Sequence, residues 1–73
     1  MSDYMISLNN YLQRNTHLGS ASWEFSEKGV QHQLRHTAIL KINGQAVASG
    51  EATNRGNAKQ AAARTYLQNI GAI

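Results

Sequence analysis

The sequence predicts an α+β fold, a two-layer α-β-β-β-α sandwich whose three-stranded antiparallel sheet carries two helices on one face. Three observations point there. Apolar residues recur at helical spacing in Tyr4, Met5, Leu8, Tyr11 and Leu12. A β-branched and apolar run over residues 37–42 leads into Asn43-Gly44, a strong two-residue hairpin signal. Ala58, Ala61, Ala62, Thr65, Tyr66 and Ile70 then form a second helical stripe, whose small side chains let a sheet approach closely. A three-stranded meander has one face to cover, and two amphipathic helices can cover it while the other face stays wet.

The elements follow in order. The first helix is expected over residues 3–14, with Ser2 or Asp3 capping its start and an acid suiting the positive end of its dipole. The stretch 15–22, with Gly19, ends it. Its wet face carries Asn9, Asn10 and Gln13, amides where Glu and Lys are the usual solubilising choice. A strand is expected over 21–26, with Trp23 and Phe25 on one side, read as core. A polar loop over 27–35 holds Lys28, Gly29, His32 and Arg35. In the hairpin, Ala38, Leu40 and Ile42 share one face, Thr37, Ile39 and Lys41 the other, and Val47 points inward from the return strand, 45–49. The last helix, 55–70, has Asn54 as its N-cap and stops at Gly71.

Composition bounds the function. With 73 residues the chain makes one small domain that buries about 60% of its unfolded surface. It has no Cys, so neither a disulfide nor a Cys-based zinc site supports it. No apolar run approaches the length of a membrane span, and no signal peptide is expected. The net charge of +3 is unevenly placed. Residues 1–27 set one cation against three acids, whereas residues 28–73 set six against one. That asymmetry points to a polyanionic partner. Arg55 and Lys59 stand four apart at the start of the last helix, where they oppose the macrodipole and repel one another. An anion docked at the helix start reverses each of those signs.

The same residues carry a resemblance. The segment from Gly50 through Ala63, with Asn54, Arg55, Lys59, Ala62 and Ala63, is similar to the G-x-G-x-S-K-K-x-A-K-x-x-A-A ending of double-stranded-RNA-binding domains. Leu40-Lys41-Ile42-Asn43-Gly44 resembles that family's hairpin, Gly29-Val30-Gln31-His32 its G-P-x-H loop, and Leu8-Asn9-Asn10-Tyr11-Leu12-Gln13 its first helix. The resemblance implies shape-based binding of A-form RNA, largely independent of sequence, across two minor grooves and the phosphates between them, about 16 base pairs in all. It implies phosphate contacts from Arg55 and Lys59 beside Asn54, with Asn9, Asn10 and Gln13 in one minor groove and His32 in the other. Lys28 and Arg35 would add phosphate contacts, their alternative being ordinary loop charge.

Departures from the family pattern leave a rival reading open. Gly56 replaces the middle cation, Asn10 a frequent Glu, Val30 the loop Pro and Ala52 a Gly, and His36 stands at a usually aromatic position. One cation fewer lowers the counterion-release term, so binding is expected to be weaker and less salt-sensitive than in a three-cation member. The alternative is a divergent domain used for protein–protein contact or homodimerisation, with Ile39, Leu67, Ile70 and Ile73 as candidate contacts. No catalytic arrangement is recognisable, and His32 with His36 lacks a third metal ligand, so neither an enzyme site, a metal site, a cofactor nor a small-molecule substrate is expected. The family also occurs within RNA-processing enzymes such as helicases and ribonucleases. The Met close to the first helix and a Thr-Asn-cation opening similar to DEAH-box RNA helicases suggest an N-terminal module of such a parent. An intracellular setting, cytoplasm or nucleus, is expected.

Overall fold

The computed structural model describes residues 3–73, leaving Met1 and Ser2, one of the two expected caps, outside the described residues. The order is α1 (Tyr4–Arg14), β1 (Ala21–Lys28), β2 (Arg35–Ile42), β3 (Gln45–Ala52) and α2 (Arg55–Asn69). The strands form one antiparallel sheet in the order β1-β2-β3. The α+β sandwich expected from the sequence is thus the one observed.

Each strand runs further than the pattern of apolar residues suggests. Lys28 pairs with Arg35 as the last rung of the β1–β2 ladder, so both lie at strand ends and not within the loop. Polar side chains at these positions give no alternation to read, but the backbone ladder continues regardless of side chain. The connection shortens to residues 29–34 and contains a 3-10 turn, Gln31–Gln33. Gly29 makes that tight connection possible. Its φ is +100°, and a Cβ there would stand 2.7 Å from the Gln33 carbonyl oxygen. At the other end of the sheet, Asn43 and Gly44 take φ of 54° and 81°, the positive-φ pair of a two-residue hairpin turn. A bulge interrupts β2–β3 pairing between Leu40/Lys41 and Ala48/Ala46, leaving Val47 as the extra residue, packed against the core.

The core joins Leu8, Leu40, Ile42, Ala63, Tyr66 and Leu67. Ala38, Leu40 and Ile42 are buried as their alternation required, and Ala58 and Ala62 are buried on the sheet-facing side of α2. Leu67 belongs to this core at 1% exposure, which removes it from the candidate contact residues; Ile70 is exposed instead. The helical stripe is rotated by one position from the sequence estimate, toward Ala63 and Leu67. Ile39, on the far face, is half-buried among its strand neighbours Glu24 and Ser49 rather than freely exposed. Packing against the pleat covers its stem.

The helices hold each other as well as the sheet. α1 reaches the sheet core through Leu8 and docks on α2 through Tyr11, whose ring meets Tyr66 edge-on at 6.2 Å. Asp3 caps α1 by accepting from Met5 and Ile6 N–H. Gln60 of α2 joins this cap. Its Oε1 accepts from Tyr4 N–H at 2.8 Å, and its Nε2 donates to the Asp3 carboxylate at 3.0 Å. Three of the orphan donors of α1 therefore find acceptors, and two of them, Tyr4 N–H and Met5 N–H, reach Gln60 on the other helix, Met5 sharing its N–H with Asp3.

Candidate nucleic-acid interface

The start of α2 is the best-built part of the candidate site. Asn54 is its N-cap, with Oδ1 accepting from Asn57 N–H at 2.8 Å. Arg55 and Lys59 leave the same flank of the first turns and come to lie over β1. The Arg55 guanidinium carbon stands 5.2 Å above the Phe25 ring, and Lys59 Nζ stands 5.2 Å above the Trp23 ring. The two rings stack on each other, 6.5 Å apart and 18° from parallel.

This arrangement corrects two expectations. Trp23 and Phe25 face the helix layer, but both are half-buried rather than fully enclosed, because α2 covers them with long cationic side chains and not with apolar ones. Nor do the cations lie where folding gives them nothing. Each gains a ring, and Arg55 Nη2 also lies 3.9 Å from Glu27 Oε1. The dipole and like-charge penalties are thereby partly offset within the chain.

Register gathers further charge at the same end of the sheet. Lys28 and Arg35 form the terminal β1–β2 rung, next to Ala52 at the end of β3 and the start of α2. Arg35 is exposed and lies 4.0 Å from Glu51, a distance and setting that hold it weakly. Lys28 is exposed and makes no ion pair among the described residues. The short loop bearing exposed His32 springs from this same rung. His36 sits one rung further in, half-buried at the core edge, its Nδ1 3.6 Å from Glu27 and without a hydrogen bond. Glu27 is thus the acid common to His36 and Arg55.

On α1, Asn9, Asn10 and Gln13 are exposed, as their position opposite Leu8 requires. Exposed Ile6, at 59%, shares their side of the helix, a neighbour the amide pattern does not mark. The structure therefore brings Lys28, His32, Arg35, Asn54, Arg55 and Lys59 to one end of the sheet, but alternation turns Lys28 and Arg35 to the face away from the helices, whereas Arg55 and Lys59 lie on the helix face. Asn9, Asn10 and Gln13 lie apart on α1, linked to α2 through the Gln60 cap. The rings under the cations are the residues that sequence reasoning missed. Their i, i+2 spacing on β1 was visible, but matching it to the i, i+4 spacing on α2 needs a strand–helix register that the sequence does not carry.

Among the described residues no group of three potential ligands is placed to hold a metal ion, and no helix is long and apolar enough to cross a membrane. A shallow cleft between α1 and the chain end is lined by Ser7, Asn10, Tyr11, Arg14, Leu67, Ala72 and Ile73; of the candidate RNA-contact residues it touches Asn10 alone.

No curated protein matches the chain. The family model described as the double-stranded RNA binding motif matches residues 4–70, from the first residue of α1 to the C-cap of α2. That match supports double-stranded RNA binding in general. With so much of the chain matched, and with the α-β-β-β-α order in place, the chain belongs to the double-stranded RNA binding motif family.

Proposed function

We propose that this domain is a non-catalytic module that grips A-form RNA by shape, with Arg55 and Lys59 on the phosphates of a major groove. The observation that carries this reading is the capped start of α2. It brings free helix N–H groups, the positive end of a dipole and two ring-mounted cations together at one helix start. Lys28 and Arg35 stand at the adjoining end of the sheet on the face turned away from α2, so phosphate contacts from them would be made around the sheet's edge. His32 on the short loop reaches the next minor groove. Asn9, Asn10 and Gln13 reach the other, their amides both donating to and accepting from 2′-hydroxyls. The same module suits a larger RNA-processing enzyme, such as a helicase or ribonuclease, as its binding part.

Titration of an RNA duplex, an RNA–DNA hybrid and a DNA duplex at two salt concentrations tests the proposal. RNA is expected to bind most tightly, without sequence preference. Equal affinity for DNA, or no binding to RNA at low salt, overturns it. Lys59→Ala should weaken binding to all duplexes alike and lower the salt slope by about one.

The rival reading, a self-association or protein-binding module, now rests on Ile70 and Ile73, since Leu67 is core and Ile39 half-buried. A tight dimer in ultracentrifugation of the RNA-free chain, made monomeric by Ile73→Asp, would favour it.

A further inference from the structure

The match between two spacings places one cation over each ring. Same-face side chains two residues apart on a strand are separated by about 6.7 Å. Positions four apart on a helix are separated by about 6 Å along its axis. Trp23 and Phe25 present rings 6.5 Å apart, and Arg55 and Lys59 straddle them, one cation to one ring. Because β1 and α2 run in opposite directions here, Arg55 meets the later ring and Lys59 the earlier one. Central packing does not account for both rings. Trp23 touches the core cluster, whereas Phe25 is not among the residues packed against it.

We propose that Trp23 and Phe25 are positioning residues for the phosphate contacts. They fix the two cations over β1 before any nucleic acid arrives. This rests on the duplex-RNA reading of the same surface. A guanidinium lying on a ring engages it through its flat face, while its N–H donors point outward in its own plane, where phosphate oxygens compete for them only with the exposed Glu27 carboxylate, 3.9 Å from Nη2. An ammonium above a ring likewise keeps donors on its solvent side. A long cationic side chain loses rotamer freedom when it grips a phosphate, and one already held over a ring has less to lose. The rings act through the cations and are not themselves stacking platforms for bases, since their outer faces are occupied.

A double-mutant cycle on duplex RNA of about 20 base pairs, longer than the footprint of such a domain, separates positioning from packing. Phe25→Leu is expected to weaken binding about two- to fivefold, the cost of ordering on the phosphate a side chain that the ring no longer holds. The salt slope should stay unchanged, because the number of neutralised phosphates is unchanged. In the Arg55→Ala background, Phe25→Leu should produce no further loss. Phe25→Tyr, which keeps the ring face and guards against misfolding, should bind as the unaltered chain does. Trp23→Leu with Lys59→Ala repeats the cycle at the second ring.

Loss that adds fully in the double variant overturns the positioning role while leaving duplex binding intact. Failure of the unaltered chain to bind RNA instead overturns the duplex-RNA reading. A measurement without RNA then still decides the positioning: the heteronuclear relaxation of the Arg55 Nε–H group. It should report a more mobile side chain in Phe25→Leu than in the unaltered chain or Phe25→Tyr. Equal order in all three overturns the proposal.

Discussion

Against β3, α2 comes down to backbone contact; against β1, the same helix stands off and fills the gap with long side chains. On the β3 side, Gly50 lies directly beneath Ala58, Ala61 and Ala62. A Cβ added there would meet the Ala58 carbonyl oxygen and the Ala61 side chain, both at 2.7 Å. On the β1 side, Arg55 and Lys59 reach down to half-buried rings and remain partly in water. The first flank is sealed by methyl groups and a missing side chain, so it can contribute only to stability. The second uses amphipathic side chains with apolar stems and wet ends, so its cations are available to a ligand. Substitutions on the two flanks should therefore move different observables.

The largest effect is expected at the sealed flank. Gly50→Ala forces a methyl group into helix backbone, which cannot yield without lifting α2 from the sheet. The expected loss is about 3 kcal/mol, the upper part of the usual range for overpacking. Gly56, in the first turn of α2, provides the control: a Cβ there meets only Asn54 Oδ1, at 3.4 Å. Gly56→Ala should stabilise the chain by about 0.5–1 kcal/mol, since it relieves the helix of a glycine without a clash. Urea unfolding of both variants checks the pair. Equal effects at the two glycines would break the distinction between the flanks.

The next effect belongs to the open flank. Gly56 stands where the family pattern carries its middle cation, and the space above it is free. Gly56→Lys should tighten duplex-RNA binding several-fold and steepen the salt dependence by about one phosphate's share. Its stability should change little, because the better helix former is offset by a cation near the helix start. Affinity measured across a salt series decides this. An unchanged slope would mean that the phosphates do not pass over this turn.

The two flanks also differ in how much of them the sequence disclosed. The Ala stripe and the Asn43-Gly44 turn are local patterns, and both lead to the observed packing. The strand ends at Lys28 and Arg35 escape a reading of alternation, because a ladder is made by backbone groups whereas alternation belongs to side chains. Leu67 falls outside the expected stripe because a stripe read mainly from alanines fixes the helix rotation only to within a residue. For the site, the cations themselves were legible, but the rings beneath them were not. Pairing Phe25 with Arg55 requires the register of a strand against a helix that lies about thirty residues away in the chain, and no local period contains that.

The smallest expected effect lies where α2 meets neither flank but the start of α1. The hydrogen bond from Gln60 is the main cause that holds the Asp3 carboxyl below its ordinary value, with the N–H groups of Ile6 and Met5 adding to it. A carboxyl whose folded pKa is depressed binds protons more readily in the unfolded chain. Its contribution is therefore complete above the unfolded value, about pH 4, and is lost as pH falls through the folded value. Asp3→Asn keeps a capping oxygen but cannot titrate, so its melting temperature should fall less than that of the unaltered chain between about pH 5 and about pH 3. Gln60→Leu should flatten the same difference while leaving Asp3 in place, because the chief cause of the depression is gone. Thermal melts across that range separate the cases. If Asp3→Asn and the unaltered chain melt in parallel at every pH, the cap joining the two helices carries no charge-dependent part of the stability, and α2 would be anchored by its β3 flank and core contacts alone.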